Sequence, residues 1–362
     1  MNEEALHEAR EQIAGRVTIN DVARVAGVSV ATVSKVTNGR DGVAVATADR
    51  VMEVVRELGY ETSIVASSMR SRATHVIGIL LAGFDPFAAE LLKGISARAI
   101  GRGYELLAYS GAIADEHAIG WERRSLSRLG GTLIDGAIMI TPSVSTPVAS
   151  IPVVAIDPHT GSSGSSAVLA GNADGGRVAT QHLIDLGHRR IAHISGREDL
   201  ESAHLREQGY RQALEAAGIA FDPYLIRNGG YRREWSIEPA RELLLSPNRP
   251  TAFFAANDLS AFGVMQAAKD LDLRVPEDVS VIGFDDIPES AESTPQLTTV
   301  AQPLQEMGAA AVDILLAALT DKNHRDQYRE LPTHLVVRES TGPVPTQVRS
   351  PKGAAWTPST PY

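Results

Sequence analysis

Two adjacent carboxylates, Asp285 and Asp286, follow the apolar run VIGF. Side by side they could hold a metal ion or share acid–base work. The motif offers no histidine or third carboxylate to complete either arrangement, so Asp286 is expected to cap the turn that follows. His182, His188, His193 and His204 lack metal-ligand spacing and are expected to be surface or packing residues. The chain has no cysteine, which removes thiolate sites, disulfides and cysteine nucleophiles. It contains no GxSxG, no HExxH, no P-loop and no GxGxxG after a strand. GSSGSS at 161–166 follows no strand-to-helix pattern that would cradle phosphate and reads as a surface loop. The expectation is a non-enzyme with no cofactor and no metal.

A second group has the chemistry of a nucleic-acid surface. In VTINDVARVAGVSVATVSKVTN (17–38), Thr18 is placed to cap a helix, with Asp21 three residues on completing a capping-box pattern. Val22, Ala23 and Ala26 share one face, and Gly27 ends the helix where a left-handed residue is easiest. Ser29 then caps a second helix whose inward side is Val33 and Val36. Small Ala23 and the turn at Gly27 make this a helix-turn-helix. A third helix, Ala48 to Leu58 after the cap Thr47, adds Val51, Val54, Val55 and Leu58 to the same core. Lys35 carries a flexible ammonium that can donate to guanine O6 and N7.

The charge distribution fits such a surface. The whole chain of 362 residues carries −10, yet residues 16–72 hold eight Lys/Arg against six Asp/Glu, while 1–15 sum to −3 and the remainder to −9. A mildly basic head on an acidic body limits nonspecific DNA affinity and directs the head to the duplex. The opening MNEEALHEAR has no apolar core and is not a signal peptide, and no apolar run approaches a membrane span. A soluble, cytoplasmic protein without membrane contact is expected.

From His75 strands and helices alternate. Strands are predicted at 76–81, 104–110, 136–141, 151–157, 190–195, 251–256, 279–284, 297–300 and 331–338. Helices are predicted at 88–100, 121–129, 175–186, 205–217, 235–245, 259–271 and 304–318. Alternation implies parallel sheets covered on both faces, and two successive runs imply two doubly wound lobes. The elements after both lobes are complete imply a chain that returns across a cleft. The predicted fold class is an all-α three-helix head followed by a two-lobed α/β domain with two doubly wound parallel sheets. The predicted division is an extension 1–16, a head 17–60, a hinge segment 61–74, a body 75–342 and a disordered Pro/Ser/Thr-rich tail 343–362. Within the body, lobe 1 takes about 75–170 plus 302–330 and lobe 2 about 171–301 plus 331–342.

In this order the chain resembles the LacI-type transcription regulators along residues 17–342. The resemblance rests on the head motif, Gly59-Tyr60, LIDLGHRRIAHISG (183–196), RxxGYRQAL (206–214), AANDLSAFGVM (255–265), VPEDVSVIGFDD (275–286) and LTTVAQP (297–303). It implies a homodimer, each head reading half of a near-palindromic operator in the major groove. By match to the motif, Val30, Ala31 and Lys35 occupy base-reading positions. Val30 and Ala31 form no hydrogen bonds and are limited to thymine methyls or exclusion. Thr18, Ser29, Thr32, Ser34 and Asn38 suit phosphate oxygens. The segment after Tyr60 is similar to the family's hinge helix but departs from it: Thr62 and Ser63 stand for Pro-Asn, Ser67 for Arg, and Met69 for the Leu that wedges into the minor groove.

The resemblance further implies a body like periplasmic sugar-binding proteins, with a small-molecule effector between the lobes. The matched positions are Asp85, Phe87, Asp157, Arg206, Trp235, Asn257, Asp285 and Gln302, most of them at carboxyl ends of parallel strands, where open α/β sheets bind ligands. Carboxylates, an amide, an arginine and aromatics suit the hydroxyls and faces of a sugar. Ala88 stands where many relatives have a second aromatic, which implies room for a disaccharide or oligosaccharide and disfavours a stacked purine. Effector binding would separate the hinges and release the operator; corepressor action in the same family is the alternative, and a free solute-binding protein a remote one.

Overall fold

The computed structural model describes residues 17–37, 40–60, 73–111, 120–142, 150–158, 166–321, 325–346, 349 and 351–352. The extension 1–16, most of the hinge segment (61–72, with Met69) and Asn38 lie outside them. The chain divides into two compact units, up to Thr74 and from His75.

In the first unit Asp21 accepts hydrogen bonds from the Thr18 backbone N–H at 2.9 Å and the Thr18 hydroxyl at 2.6 Å, opening α1 (Ile19–Ala26). Gly27 ends it in the left-handed region at φ 63°. Ser29 Oγ accepts from Thr32 N at 3.1 Å and opens α2 (Val30–Thr37). The third helix, α3 (Val45–Leu58), begins earlier than the sequence suggests. Thr47 and Ala48 both donate to the Ala44 carbonyl, so Thr47 sits inside the first turn rather than capping it. Val22, Ala23, Ala26, Val33, Val51, Val54 and Leu58 form one core, with Val36 and Val55 partly buried against it. The alternation of apolar and polar positions therefore specifies this unit by packing.

The second unit holds two six-stranded sheets among the described residues. Lobe 1 has β1 (Val76–Leu81), β2 (Glu105–Ser110), β3 (Gly136–Ile140), β4 (Val153–Ile156), β5 (Ser166–Ala170) and β11 (Tyr328–Leu331), in the parallel order β11-β5-β4-β3-β1-β2. Helices α4 (Pro86–Ile100), α5 (Trp121–Leu129) and α11 (Leu304–Thr320) cover it. Lobe 2 has β6 (Ile191–Ser195), β7 (Ile226–Asn228), β8 (Ala252–Ala255), β9 (Ser280–Asp285), β10 (Thr298–Ala301) and β12 (His334–Val336), ordered β12-β10-β9-β8-β6-β7. Only β12 among them runs antiparallel to its neighbour. Its helices are α6 (Asn172–Asp185), α7 (Glu201–Ala216), α8 (Arg233–Leu245), α9 (Asp258–Asp270) and α10 (Glu289–Glu292). The fully buried strands β1, β3 and β9 read as unbroken apolar runs, as parallel strands covered on both faces must.

Several elements differ from expectation. Ser166, read as part of a loop, is the first residue of β5, and 161–165 lie outside the described residues. The predicted strand 331–338 is two strands, β11 and β12, in different sheets, because the chain crosses between lobes at Pro332-Thr333. Of the tail expected to be disordered, the described residues are tied to lobe 2. Val344 N donates to the Leu186 carbonyl at 3.1 Å and Lys352 N to the Leu271 carbonyl at 3.0 Å.

The chain passes between the lobes at 170–172, 301–304 and 331–334. These crossings touch one another: Gly171 N donates to the Leu331 carbonyl at 3.0 Å, and Thr333 Oγ1 to the Gly171 carbonyl at 3.1 Å.

Candidate functional site

On the head, α2 turns Val33 fully inward and leaves Val30, Ala31 and Lys35 exposed, with Val30 40% accessible. Ser29 and Thr18 are exposed and also serve as caps. Ser29 and Thr32 hydroxyls are 2.9 Å apart. Ser34 is partly buried. One face of α2 thus presents two short apolar side chains, a cation and hydroxyls.

In the body, a buried polar chain runs from lobe 1 to lobe 2. Asp157 closes β4 at φ 46° and accepts from Asn172 Nδ2 at 3.4 Å. Asn172, on the first crossing, accepts from Arg206 Nε at 2.9 Å. Arg206 Nη1 donates to the Ala256 carbonyl at 2.5 Å and lies 3.4 Å from Asp285 Oδ1. Gln302, on the second crossing, donates through Nε2 to the same Asp285 oxygen at 2.7 Å. Arg206 and Asp285 are each 3% exposed, and Asp157 and Gln302 each 6%. The Arg206 guanidinium lies 3.8 Å over the Phe284 ring and 5.5 Å from that of Tyr231. A buried guanidinium sandwiched this way has one orientation available, which fixes the donors it offers.

Close helix packing delivers Arg206 to this point. A β-carbon on Gly209 of α7 would stand 2.1 Å from the Ala173 carbonyl oxygen of α6, so only glycine permits that approach. Burial pushes both site carboxylates above their ordinary range. For Asp157 the Arg206 charge and bonds from Ala170 and Asn172 oppose the rise. For Asp285, Arg206 and Gln302 oppose it, while the negative charges of Asp258 and, from lobe 1, Asp85 add to it. The Gln302 carbonyl oxygen Oε1 is buried and has no hydrogen-bond partner among the described residues.

The predicted residues are not all in this cluster. Arg206, Asp285 and Gln302 are in direct contact, and Asp157 joins through Asn172. Asn257 caps α9 by accepting from Ser260 N at 2.9 Å and donates to the Tyr231 carbonyl at 3.2 Å, which places it beside the cluster. Asp85 caps α4 through Ala88 N at 2.8 Å. Phe87 is partly buried against the lobe 1 core. Trp235 is 47% exposed, so it is no core residue, and its ring carries the Arg232 guanidinium at 4.5 Å. Ala88 is 2% exposed, within the lobe 1 core. Asp286, expected to cap the turn that follows it, is turned elsewhere: Asp258 accepts from Ile287 N at 3.0 Å, and Asp286 accepts from Arg338 at 2.7 Å. His188 and His193 are packing residues, both fully buried.

Sequence reasoning missed Asn172, Tyr231 and Phe284. Phe284 immediately precedes Asp285, and Asn172 follows Gly171 directly after β5, a strand that was not predicted; an unrecognised strand hides its carboxyl end. Among the described residues no group of three His, Cys, Asp or Glu could hold a metal ion, and no helix is long and apolar enough to cross a membrane.

Residues 18–63 match the family model of bacterial regulatory proteins, lacI family, and residues 180–341 match that of the periplasmic binding protein-like domain. The ribose operon repressor of Escherichia coli (strain K12) is 36% identical over 331 residues, covering 89% of this chain and 99% of the repressor. The chain belongs to the LacI family of bacterial regulatory proteins. The structure of the transcriptional regulator CelR–cellobiose complex has 33% sequence identity and a TM-score of 0.68, covering 90% of this chain and all (100%) of that one. The lac repressor dimer bound to operator and the anti-inducer ONPF has 27% identity and a TM-score of 0.77, covering 91% of this chain and 100% of that one. As a LacI-family member the chain is a DNA-binding transcriptional regulator and not an enzyme.

Proposed function

We propose that this protein is a homodimeric repressor, acting in the cytoplasm, that a sugar or oligosaccharide releases from a palindromic operator by binding between the lobes. The single observation that carries the effector assignment is the buried Arg206–Asp285–Gln302 contact at the second crossing. A guanidinium, a carboxylate and an amide whose Oε1 lacks a partner offer both donors and acceptors to vicinal hydroxyls. Asp85 and Asp157 add acceptors from lobe 1, and Asn257, Phe87 and Trp235 line the approach. The repressor and complex named above, one of a ribose operon and one with cellobiose, support a carbohydrate.

On the head, Lys35 reads a base edge, Val30 and Ala31 contact thymine methyls or exclude other bases, and Thr18, Ser29, Thr32, Ser34 and Asn38 contact phosphates. Met69 of the hinge segment wedges into the minor groove. A ligand that prefers one lobe arrangement by ~1–3 kcal/mol shifts operator occupancy noticeably.

Two experiments test this reading. A gel shift with the DNA upstream of the protein's own gene should give a salt-sensitive, palindrome-dependent complex; no complex at low salt sinks the repressor assignment. A thermal-shift screen of mono- and disaccharides should find a stabilising ligand, lost in Asp285→Ala. If that variant is stabilised as well as the wild type, the pocket lies elsewhere.

A further inference from the structure

Asp285 and Asp286 are neighbours whose carboxylates serve different parts of the molecule. Both have positive φ, 114° and 58°, so the backbone reverses over two residues and the side chains diverge. Asp285 faces Arg206 and Gln302. Asp286 Oδ1 accepts from Arg338 Nη2 at 2.7 Å. Arg338 lies two residues beyond β12, the strand entered from the third crossing. Its Nη1 also donates to the Leu297 carbonyl at 2.9 Å, and its backbone N–H to Thr298 Oγ1 at 2.9 Å. Arg338 therefore clasps the last pass of the chain to the base of β10, whose far end leads into Gln302.

The turn has one fixed anchor and one adjustable one. Asp258, fully buried, holds its far side by accepting from Ile287 N at 3.0 Å, Ser290 Oγ at 2.8 Å and Thr299 Oγ1 at 2.5 Å. The Asp286–Arg338 pair is partly solvated, at 25% and 16% side-chain exposure. A buried multi-donor anchor resists rearrangement, whereas a partly solvated ion pair exchanges readily with water.

We propose that the Asp286–Arg338 pair is a latch that carries occupancy of Asp285 to the third crossing. Both residues position the lobes and neither touches the effector. The proposal rests on the effector-site reading above and adds the route by which that site reaches the strands joining the lobes. Occupancy that pulls on the Asp285 carboxylate turns the two-residue unit against its Asp258 anchor. Among the bonds the turn makes within the described residues, the one to Arg338 is the adjustable one.

Asp286→Asn is a clean probe, because asparagine accepts positive φ and only the charge is lost. It is compared with Arg338→Gln and the double variant, all as full-length protein. Operator affinity is measured without effector on the upstream duplex, and amide hydrogen exchange is followed in 334–338. Each single variant is expected to change operator affinity by about threefold or more, with faster exchange in 334–338 and a double variant no more affected than one single. Any sugar among ribose and cellobiose that stabilises the wild type should stabilise the variants equally. Operator affinity within about 1.5-fold of wild type, or additive single effects, overturns the latch. Loss of the sugar-induced stabilisation overturns it too, since Asp286 would then belong to the pocket. A wild-type protein that binds no upstream duplex overturns the regulator reading itself and the latch with it, a result distinct from normal wild-type binding with silent variants.

Discussion

Gly176 of α6 passes so close to Arg206 of α7 that a β-carbon there would stand 2.3 Å from the Arg206 carbonyl oxygen. The residue that orients the buried polar chain is thus placed by a helix crossing that tolerates no side chain. Gly176→Ala is expected to destabilise the body by about 1–3 kcal/mol through overpacking, read as a lower Tm, and to weaken sugar binding because Arg206 is displaced. A variant with wild-type Tm and wild-type ligand response would show that the helices separate at no cost to the site.

Removing Arg206 strands its partners. Arg206→Ala leaves the Asp285 carboxylate buried without its counter-charge, with only the Gln302 amide still donating to it, and the Asn172 oxygen without the Arg206 donor. Breaking a buried pair in this way costs about 3–5 kcal/mol of stability. Chemical denaturation should register that loss, and the sugar-dependent thermal shift should vanish. Retention of the shift would remove Arg206 from the effector site.

Lys35 separates base reading from phosphate contact. If it reads guanine, Lys35→Ala costs about 1–3 kcal/mol at one base pair and relaxes preference there. Affinity measured over single-base operator variants shows this as a loss confined to one position. Uniform weakening, with a salt slope reduced by about one, would instead make Lys35 a phosphate contact.

His193 predicts a pH dependence of stability. It stacks between Tyr210 and Phe254, fully buried, donates through Nδ1 to the Phe254 carbonyl at 2.9 Å, and leaves Nε2 without a partner among the described residues. Burial lowers its pKa from 6.5 to about 4. The unfolded chain therefore binds the proton that the native one refuses. Stability is whole above about pH 6.5 and falls on acidification toward pH 4, by on the order of 3 kcal/mol in full. His182 and His188 are also held below their ordinary value by burial and act in the same direction. Melting His193→Gln between pH 7.5 and 4.5 should give a shallower decline than wild type; equal slopes would exclude His193 as a contributor.

The first two helices of the head were legible residue by residue, whereas the start of α3, expected after a cap at Thr47, was not. The caps of α1 and α2, the Gly27 turn and the core positions depend on contacts a few residues apart, and helical periodicity records those directly. The alternation of strands and helices was equally plain for β1, β3, β6, β8 and β9, each fully buried and built around apolar residues. Shorter strands were not: β7, at a sheet edge, has three residues, and β5, between β4 and β11, begins with Ser166, so neither makes a run that stands out from a loop. The split of 331–338 into β11 and β12 was hidden for another reason. Strand propensity does not say which sheet a strand joins.

For the candidate effector site, local sequence supplied the residue types and the strand ends that bear them. It placed Asp285 after VIGF and Arg206 near the start of a helix, on separate segments of the chain. That they meet with Gln302 and Asn172 was decided by the glycine-only crossing of α6 and α7 and by the passes between lobes. The same folding drew Ala88 into the lobe 1 core, left Phe87 partly buried against it and turned Asp286 toward Arg338. Those outcomes arise from long-range packing, whose partners lie tens to more than a hundred residues away, and a run of neighbouring residues contains no term for them.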